Sequence, residues 1–533
     1  MPTALKAEQL FLDGSAARGQ RRADAGPPTA EQLLAEGGDA RISLDPESAA
    51  NKYGCRPYPD PDLAAFGSST ASVISEPGMA AAEELRHRLL RAAGKEPPAV
   101  TYARELHRVR DELLSLCGIS DLAGVEVAFA ASGTDVHLFA GQLAGGGRSA
   151  PGLAVMIDAA ETGSCVPAAL AGRHFSDRAA SGDAVDEGAA IVDAAAIEVA
   201  NVALRGDDGA PRRPASIDAD VEALVAQAAA RGRRVLLTLV DVSKTGLIAP
   251  SLACALELRQ RFPDRVDVLV DACQFRIAPS TLRAYLQQGF MVAVTGSKFV
   301  TGPSFSGALF IPLTRARRFR AAPLPRALRA YSVRADWPRD WAAAAVLDDA
   351  PNFGLLLRWQ AALAELRAFR AVPEDDVIDF LQNFSRLIQD RLRRDPFFES
   401  LSAPPLDRRA LDAPRSWDHV QTIFPFVIYR AQTGKGRAPL SREETMRVYR
   451  LLQTDLAEHP DFASAGLSDA AVSRRCQLGQ PVACGKRGGI EVSALRLCAS
   501  TRLVVEATAQ RGRRSCVVIE KALTALDKIA LLV

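Results

Sequence analysis

Residues 266–312 read VDVLVDACQFRIAPSTLRAYLQQGFMVAVTGSKFVTGPSFSGALFIP, and the fold turns on how this stretch is parsed. Val266 to Val270 is an apolar run that ends on an acid, Asp271, and leads into Ala272-Cys273-Gln274. A second run, Phe290 to Val294, ends in Thr295-Gly296-Ser297-Lys298. Short apolar runs of this kind read as strands buried on both faces. Each delivers polar groups at its carboxyl end, the edge where open α/β sheets place ligands. Lysine is scarce in the chain and arginine abundant, so a lone lysine among small hydroxyl residues at a strand end reads as placed for chemistry. A desolvated lysine can lose its proton and form a Schiff base with a carbonyl, which an arginine cannot.

The same grammar recurs towards the amino terminus. Val125 to Ala130 reads as a strand leading into Ser132-Gly133-Thr134-Asp135. A strand, a small-residue turn and a helix bring free backbone N–H groups and a positive dipole end to one point, which suits a phosphate, although the tetrapeptide is also a common helix cap. Val155 to Ile157 precedes Asp158-Ala-Ala-Glu161-Thr162-Gly163-Ser164, and Val235 to Val240 precedes Asp241-Val-Ser243-Lys244-Thr245-Gly246. Leucine spacing predicts helices over 79–93 and 101–117, and residues 218–230 form another. Alternation of strand and helix from about 120 to 312 implies a largely parallel sheet covered on both faces.

Asp271-Ala-Cys-Gln274, Thr295-Gly-Ser-Lys298, Gly302-Pro303 and Gly307-Ala-Leu309 together resemble the core of class V aminotransferases and cysteine desulfurases. Those are fold-type I enzymes using pyridoxal 5'-phosphate. The resemblance implies that Lys298 carries the cofactor as a Schiff base and that Asp271 keeps the pyridine nitrogen protonated. It also implies that Gln274 and Ser243 lie near the ring oxygen. Ser132, Gly133, Thr134, Thr295 and Ser297 then face the phosphate, with Gly302 near the phosphate of a homodimer partner. Relatives usually carry Glu-His where this chain has Glu161-Thr162, so Thr162 replaces an aromatic face that stacks on the ring. Lys244 competes with Lys298 on residue type alone, but a turn follows it in place of a glycine-rich loop, and a peripheral salt bridge is expected for it.

Residues 1–50 are read as an amino-terminal arm, partly mobile, 51–372 as a large cofactor-binding domain, and 373–533 as a smaller α+β domain. Ser68, Ser69 and Thr70 sit in a Gly/Ser-rich segment read either as lining a substrate site or as a capped turn. Residues 326–350 are read as an interface loop and helix, and Asn352 opens a long helix on which Arg358 is read either as reaching a neighbouring active site or, by default, as a surface charge. In the last domain, Arg496 lies inside an apolar run and so requires a partner. The resemblance makes it the fork for a substrate α-carboxylate, while a buried structural ion pair is the competing reading. Cys476, beside Arg475, is the nearest candidate for a desulfurase thiol, although its offset from Gln480-Pro481 differs from the desulfurase motif and a structural thiol is expected.

Composition narrows the classes. A chain of 533 residues with 48% hydrophobic and 24% charged residues is long enough for two folded domains. Net charge of +2 leaves no polyelectrolyte signature, so no nucleic-acid partner is expected. No apolar stretch approaches the roughly 18 residues of a membrane span. The start lacks the pattern of a secretory signal, and nine scattered cysteines read as reduced thiols, so a cytoplasmic location is expected. No metal site is expected. The function expected is an aminotransferase-like reaction on an amino acid, with a lyase or desulfurase second. A non-catalytic binding protein on the same fold is the rival from another class, and the missing Gly-x-Gly-x-x-Gly argues against a dinucleotide enzyme.

Overall fold

The computed structural model describes residues 27–145, 152–401, 403–430, 437–457, 469–510 and 512–533; the first 26 residues of the expected arm lie outside them. The described strands, in chain order, begin with β1 (Leu63–Phe66), β2 (Glu126–Ala130), β3 (Gly152–Ile157), β4 (Ile197–Val202) and β5 (Val235–Asp241). They continue with β6 (Ile248–Ala249), β7 (Val266–Ala272), β8 (Met291–Thr295) and β9 (Gly307–Ile311). The last four are β10 (Phe398–Ser400), β11 (Ile423–Ile428), β12 (Arg475–Arg487) and β13 (Ile490–Cys498).

The larger sheet runs β2-β9-β8-β7-β5-β3-β4, with β6 paired to β5. From β4 to β8 the pairing is parallel, and β9 runs antiparallel to both β8 and β2. Side chains of β7 alternate between two cores: Val266, Val268 and Val270 enter one, Leu269 the other. Burial on both faces is why these strands read as unbroken apolar runs. Helices Leu252–Arg261 and Pro279–Gln287 pack against β7 and β8, and Gly133–Gly145 packs against β8 and β9. One edge of the sheet therefore gathers the turns after β2, β3, β5, β7 and β8.

The second sheet runs β1-β12-β13-β11-β10. β1, which falls within the expected large domain, pairs parallel with β12 in this sheet, so the chain passes through the smaller unit before building the larger one. Helix Phe353–Arg370, capped by the Asn352 side chain on Leu355 N at 3.0 Å, packs against Ala30–Leu34, Glu76–Ala92, Pro98–Leu116 and Thr501–Thr508. Its residues from Phe353 to Trp359 are all buried, so its first two turns present no face to solvent. Arg358 on it is fully buried and bonds to backbone carbonyls alone, at Phe305 (2.7 Å), Leu34 (3.2 Å), Gly37 (2.9 Å) and Glu36, which corrects its reading as a surface charge. Burial pushes its guanidinium down to about 9. Residues 326–350 also differ from expectation: three short 3-10 turns replace the helix, and Trp337 and Trp341 are buried within the chain.

Buried polar contacts join the two sheets. The Arg408 guanidinium donates to Asp241 at the end of β5 (Nε to Oδ2, 2.8 Å), and Tyr285 donates to the same oxygen at 2.6 Å. Arg276 donates to Ser68 (2.9 Å) and Thr422 (2.8 Å), and Asp418 accepts from Ala278 N (2.8 Å) and Thr281 (2.6 Å). Among the described residues no helix is long and apolar enough to cross a membrane.

Candidate active site

The carboxyl edge of the large sheet borders a cavity of about 250 Å³. Turns after four strands supply its wall: Ser132, Gly133 and Thr134 after β2, Thr162 after β3, Lys244 after β5, and Thr295, Ser297 and Lys298 at and after β8. Asp271 and Cys273 line it from the end of β7, and Arg496 reaches it from β13. Three expected site residues do not line it. Gln274 donates instead to Ser69 O (3.0 Å), and Ser243 donates to Glu161 (2.8 Å). Gly302 packs on helix Phe353–Arg370, where an added Cβ would fall 2.5 Å from that of Ala362.

Asp271 is the only carboxylate among the described lining residues, and its electrostatics are asymmetric. Burial alone would push its carboxyl up, but His137, Lys298 and the Cys273 side chain hold it well below the usual carboxylate range, and its Oδ1 accepts from Cys273 N at 3.1 Å. His137 is one turn into helix Gly133–Gly145, and its Nδ1 donates to Gly133 O at 2.7 Å. Its Nε2 then lies 3.3 Å from Asp271 Oδ2, an ion-pair distance without hydrogen-bond alignment. Burial opposes the imidazolium, yet Asp271 and the Gly133 carbonyl raise its pKa above the ordinary value. This pairing accounts for the convergence of His137, Asp271 and Cys273 ligand atoms within 4.8 Å.

At another part of the wall, helix Gly133–Gly145 presents its amino end. Ser132 Oγ accepts from Thr134 N (3.2 Å) and Asp135 N (3.4 Å). Arg41, from the short turn Ala40–Ile42, donates to Ser132 Oγ (3.2 Å) and Thr134 Oγ1 (3.1 Å), while Asp39 takes its Nε at 2.9 Å. Burial opposes the Arg41 charge, but Tyr53 and Asp39 outweigh it and hold the guanidinium ionised. Asp135, buried behind the turn and facing Asp39, is pushed up to about 7. Thr295 donates to Cys273 O (2.7 Å), and Ser297 Oγ lies 3.4 Å from Thr295 Oγ1. After Lys298 the loop holds Thr301 (φ 66°) and Phe305 (φ 70°) in the left-handed region, a strain that packed surroundings must maintain.

Arg496 is buried, donating to Thr70 Oγ1 (2.9 Å) and Gln480 O, while its Nε has no partner among the described residues. None of their carboxylates forms an ion pair with it. Ser69 and Thr70 line the cavity, whereas Ser68 donates to Ala499 O (2.9 Å). Lys244 also lines the cavity, its Nζ donating to Ala160 O at 3.1 Å with no salt bridge among the described residues, which corrects its reading as a peripheral ion-pair residue. Burial, then Arg496 and Lys298, pull its ammonium down to about 8. Cys476 is buried on β12, its thiol pushed up to about 11 by burial.

Sequence reasoning missed Arg41 and His137. Position 137 falls one turn above Gly133 on the phosphate-type helix, so the i, i+4 spacing held that signal. Arg41 carried none, being 93 residues from Thr134.

No protein-family model matches the chain, and no curated protein does. Solved structures are similar to it. A C-DES mutant with glycine covalently linked to its PLP cofactor is 14% identical, the match covering 88% of this chain and 97% of that one with a TM-score of 0.51. The cysteine desulfurase CsdA from Escherichia coli is 15% identical over 89% of this chain and 96% of its own, at a TM-score of 0.47. A NifS-like protein from Rickettsia africae is 12% identical over 87% and 98%, at 0.49. The chain has the fold-type I architecture of pyridoxal 5'-phosphate enzymes.

Proposed function

We propose that this protein is a pyridoxal 5'-phosphate enzyme acting on an amino acid, with Lys298 as the amine that holds the cofactor aldehyde. One observation carries the reading: Asp271 and Lys298, from the neighbouring strands β7 and β8, line one cavity with the amino end of helix Gly133–Gly145. The residues present fit such a group. A carboxylate held ionised matches a pyridinium, and an amine matches an aldehyde. The amino end of a helix, hydroxyls and Arg41 match a phosphate dianion. Buried polar atoms without partners among the described residues, Ser304 Oγ and Arg496 Nε, belong to residues that line the same cavity.

When bound, the cofactor supplies an electron sink for charge developing at the substrate α-carbon. Asp271 keeps a proton on the pyridine nitrogen, and His137 keeps Asp271 ionised and oriented. Ser132, Gly133, Thr134, Thr295, Ser297 and Arg41 hold the phosphate. The Arg496 fork binds the substrate α-carboxylate, and Lys298 takes and returns the proton at Cα. Thr162 offers a methyl and a hydroxyl in place of an aromatic face. An aminotransferase-like outcome is the primary reading. A lyase reading stands beside it because Lys244 is a second amine in the cavity, able to hand a proton to a departing group. The cytoplasm and a homodimer complete the proposal.

The test is direct. Borohydride reduction of the yellow holoprotein should label the peptide containing Lys298, and amino acids should change the cofactor spectrum. Dependence of turnover on an added keto acid marks transamination, and ammonia or sulfide released without one marks a lyase. Label on another lysine, or a protein that stays colourless with added cofactor, overturns the proposal.

A further inference from the structure

The charges lining the cavity do not balance. Arg41, Lys52, Lys244, Lys298 and Arg496 face Asp271 as the sole lining carboxylate among the described residues. Two of these charges already have partners, Arg41 with Asp39 and Asp271 with His137. Lys52 is exposed to solvent, and Lys298 is committed to the cofactor on the reading above. Two enclosed cations remain, Arg496 and Lys244, and they are neighbours: Arg496 Nη1 is 3.5 Å from Lys244 O.

The acid nearest in sequence to the Lys244 contact is Glu161, which follows the Ala160 carbonyl that receives the Lys244 Nζ. Glu161 is fully occupied. It pairs with Arg205 at 3.0 Å and accepts from Ser243 (2.8 Å), Thr245 Oγ1 (2.7 and 2.8 Å) and Thr245 N (3.1 Å). Lys244 therefore keeps only a backbone carbonyl, and burial and the like charge of Arg496 bear on it. Two cations held together with no carboxylate in ion-pair contact among the described residues make an anion receptor, because an incoming anion relieves both desolvation and mutual repulsion. A monocarboxylate amino acid would satisfy Arg496 and leave Lys244 bare.

We infer that the substrate is an amino acid with a second carboxylate, its acidic side chain held by the Lys244 ammonium while the Arg496 guanidinium holds the α-carboxylate. The inference rests on the cofactor reading and adds the class of substrate to it. Lys244 is thus a specificity residue.

The test titrates holoprotein with L-aspartate against L-asparagine, and L-glutamate against L-glutamine, following the cofactor spectrum. Replacing the acid by its amide removes one charge-assisted hydrogen bond, which corresponds to roughly 10- to 150-fold weaker binding. Wild-type protein should show at least a tenfold preference for one acid over its amide. Lys244→Met and Lys244→Gln should bring that ratio close to one, and Lys244→Arg should keep it above one. Borohydride labelling of Lys298 in each variant verifies an intact site. A holoprotein that responds to neutral amino acids alone, or to none of the panel, overturns the inference, as does an acid preference that survives both neutral substitutions. Failure of Lys298 to take cofactor in the wild type would instead sink the underlying reading.

Discussion

Replacing Arg41 by glutamine tests whether a segment remote in sequence completes the phosphate cradle. In the structure the guanidinium holds Asp39 through both Nε and Nη2, and its terminal nitrogens also reach Ser132 Oγ and Thr134 Oγ1, at 3.2 and 3.1 Å. Phe305 lies beneath it with the ring centroid 5.4 Å away. A unit charge pair about 4 Å apart is worth about 4 kcal/mol at an effective dielectric constant near 20. Asp39 already shares that field, which leaves about 1.5–3 kcal/mol for a charge-assisted contact to phosphate. Arg41→Gln should therefore weaken pyridoxal 5'-phosphate binding roughly 10- to 150-fold. Pyridoxal, which lacks the phosphate, should bind variant and wild type within about threefold of each other. Equilibrium titration of apoprotein by absorbance measures both, and circular dichroism checks that the variant folds with Asp39 deprived of its ion pair. Arg41→Lys should fall between, since an ammonium keeps the charge and loses the fork. Equal losses for both ligands, or a wild-type ratio between them, would refute the assignment.

Asp271→Asn should leave Lys298 open to borohydride labelling while lowering turnover by about a hundredfold or more, because the preorganised charge opposite the pyridinium is gone; unchanged turnover would contradict its role. Acid-over-amide preference should also depend on pH through Lys244, whose ammonium is pulled down to about 8. The group is charged below that value and neutral above it, so the preference should hold near pH 7 and decline as pH rises past 8. A ratio flat from pH 6.5 to about 9.5 would count against Lys244. Arg408→Met should cost about 3–5 kcal/mol in urea unfolding, since it strands Asp241, fully buried, with Tyr285 alone. Asp241→Asn combined with it should recover part of that loss, and strictly additive effects would deny the pair its coupling.

Much of the large sheet was legible because parallel strands buried on both faces leave unbroken apolar runs. Val266–Val270 and Val235–Val240 appear as such, with Asp271 near the end of the first strand and Lys244 in the turn after the second. Lys298 and Ser132–Thr134 were readable for the same reason. β9 was less so, since nothing in Gly307–Ile311 announces its antiparallel direction. What the turns do with their side chains was not legible at all. Ser243 and Gln274 follow their strands as expected, yet backbone geometry aims one at Glu161 and the other at Ser69. Arg358 was misread because a charge in a helix is usually solvated. The signal against that was local: Phe353, Leu355, Leu356, Leu357 and Trp359 surround it on every face. β1 lies more than 400 residues from its partner strand, beyond any local pattern.

The same Arg358 explains how a segment with weak periodicity reaches the cavity. Its Nε holds Phe305 O, in the loop that follows Lys298, while its terminal nitrogens hold Leu34 O, Glu36 O and Gly37 O. Gly37 is pressed onto Asn352, with φ at +67° and no room for a Cβ, so the backbone turns there into Asp39 and Arg41. One buried guanidinium thus links the loop that follows Lys298 to the segment that carries Arg41. Desolvation is the cost, visible in the lowered pKa of Arg358, and it is offset only while all four carbonyls stay in place. Removing any of them would leave part of a buried cation bare, so the amino-terminal segment is bound to the site by the same energetics that keep Arg358 inside the protein.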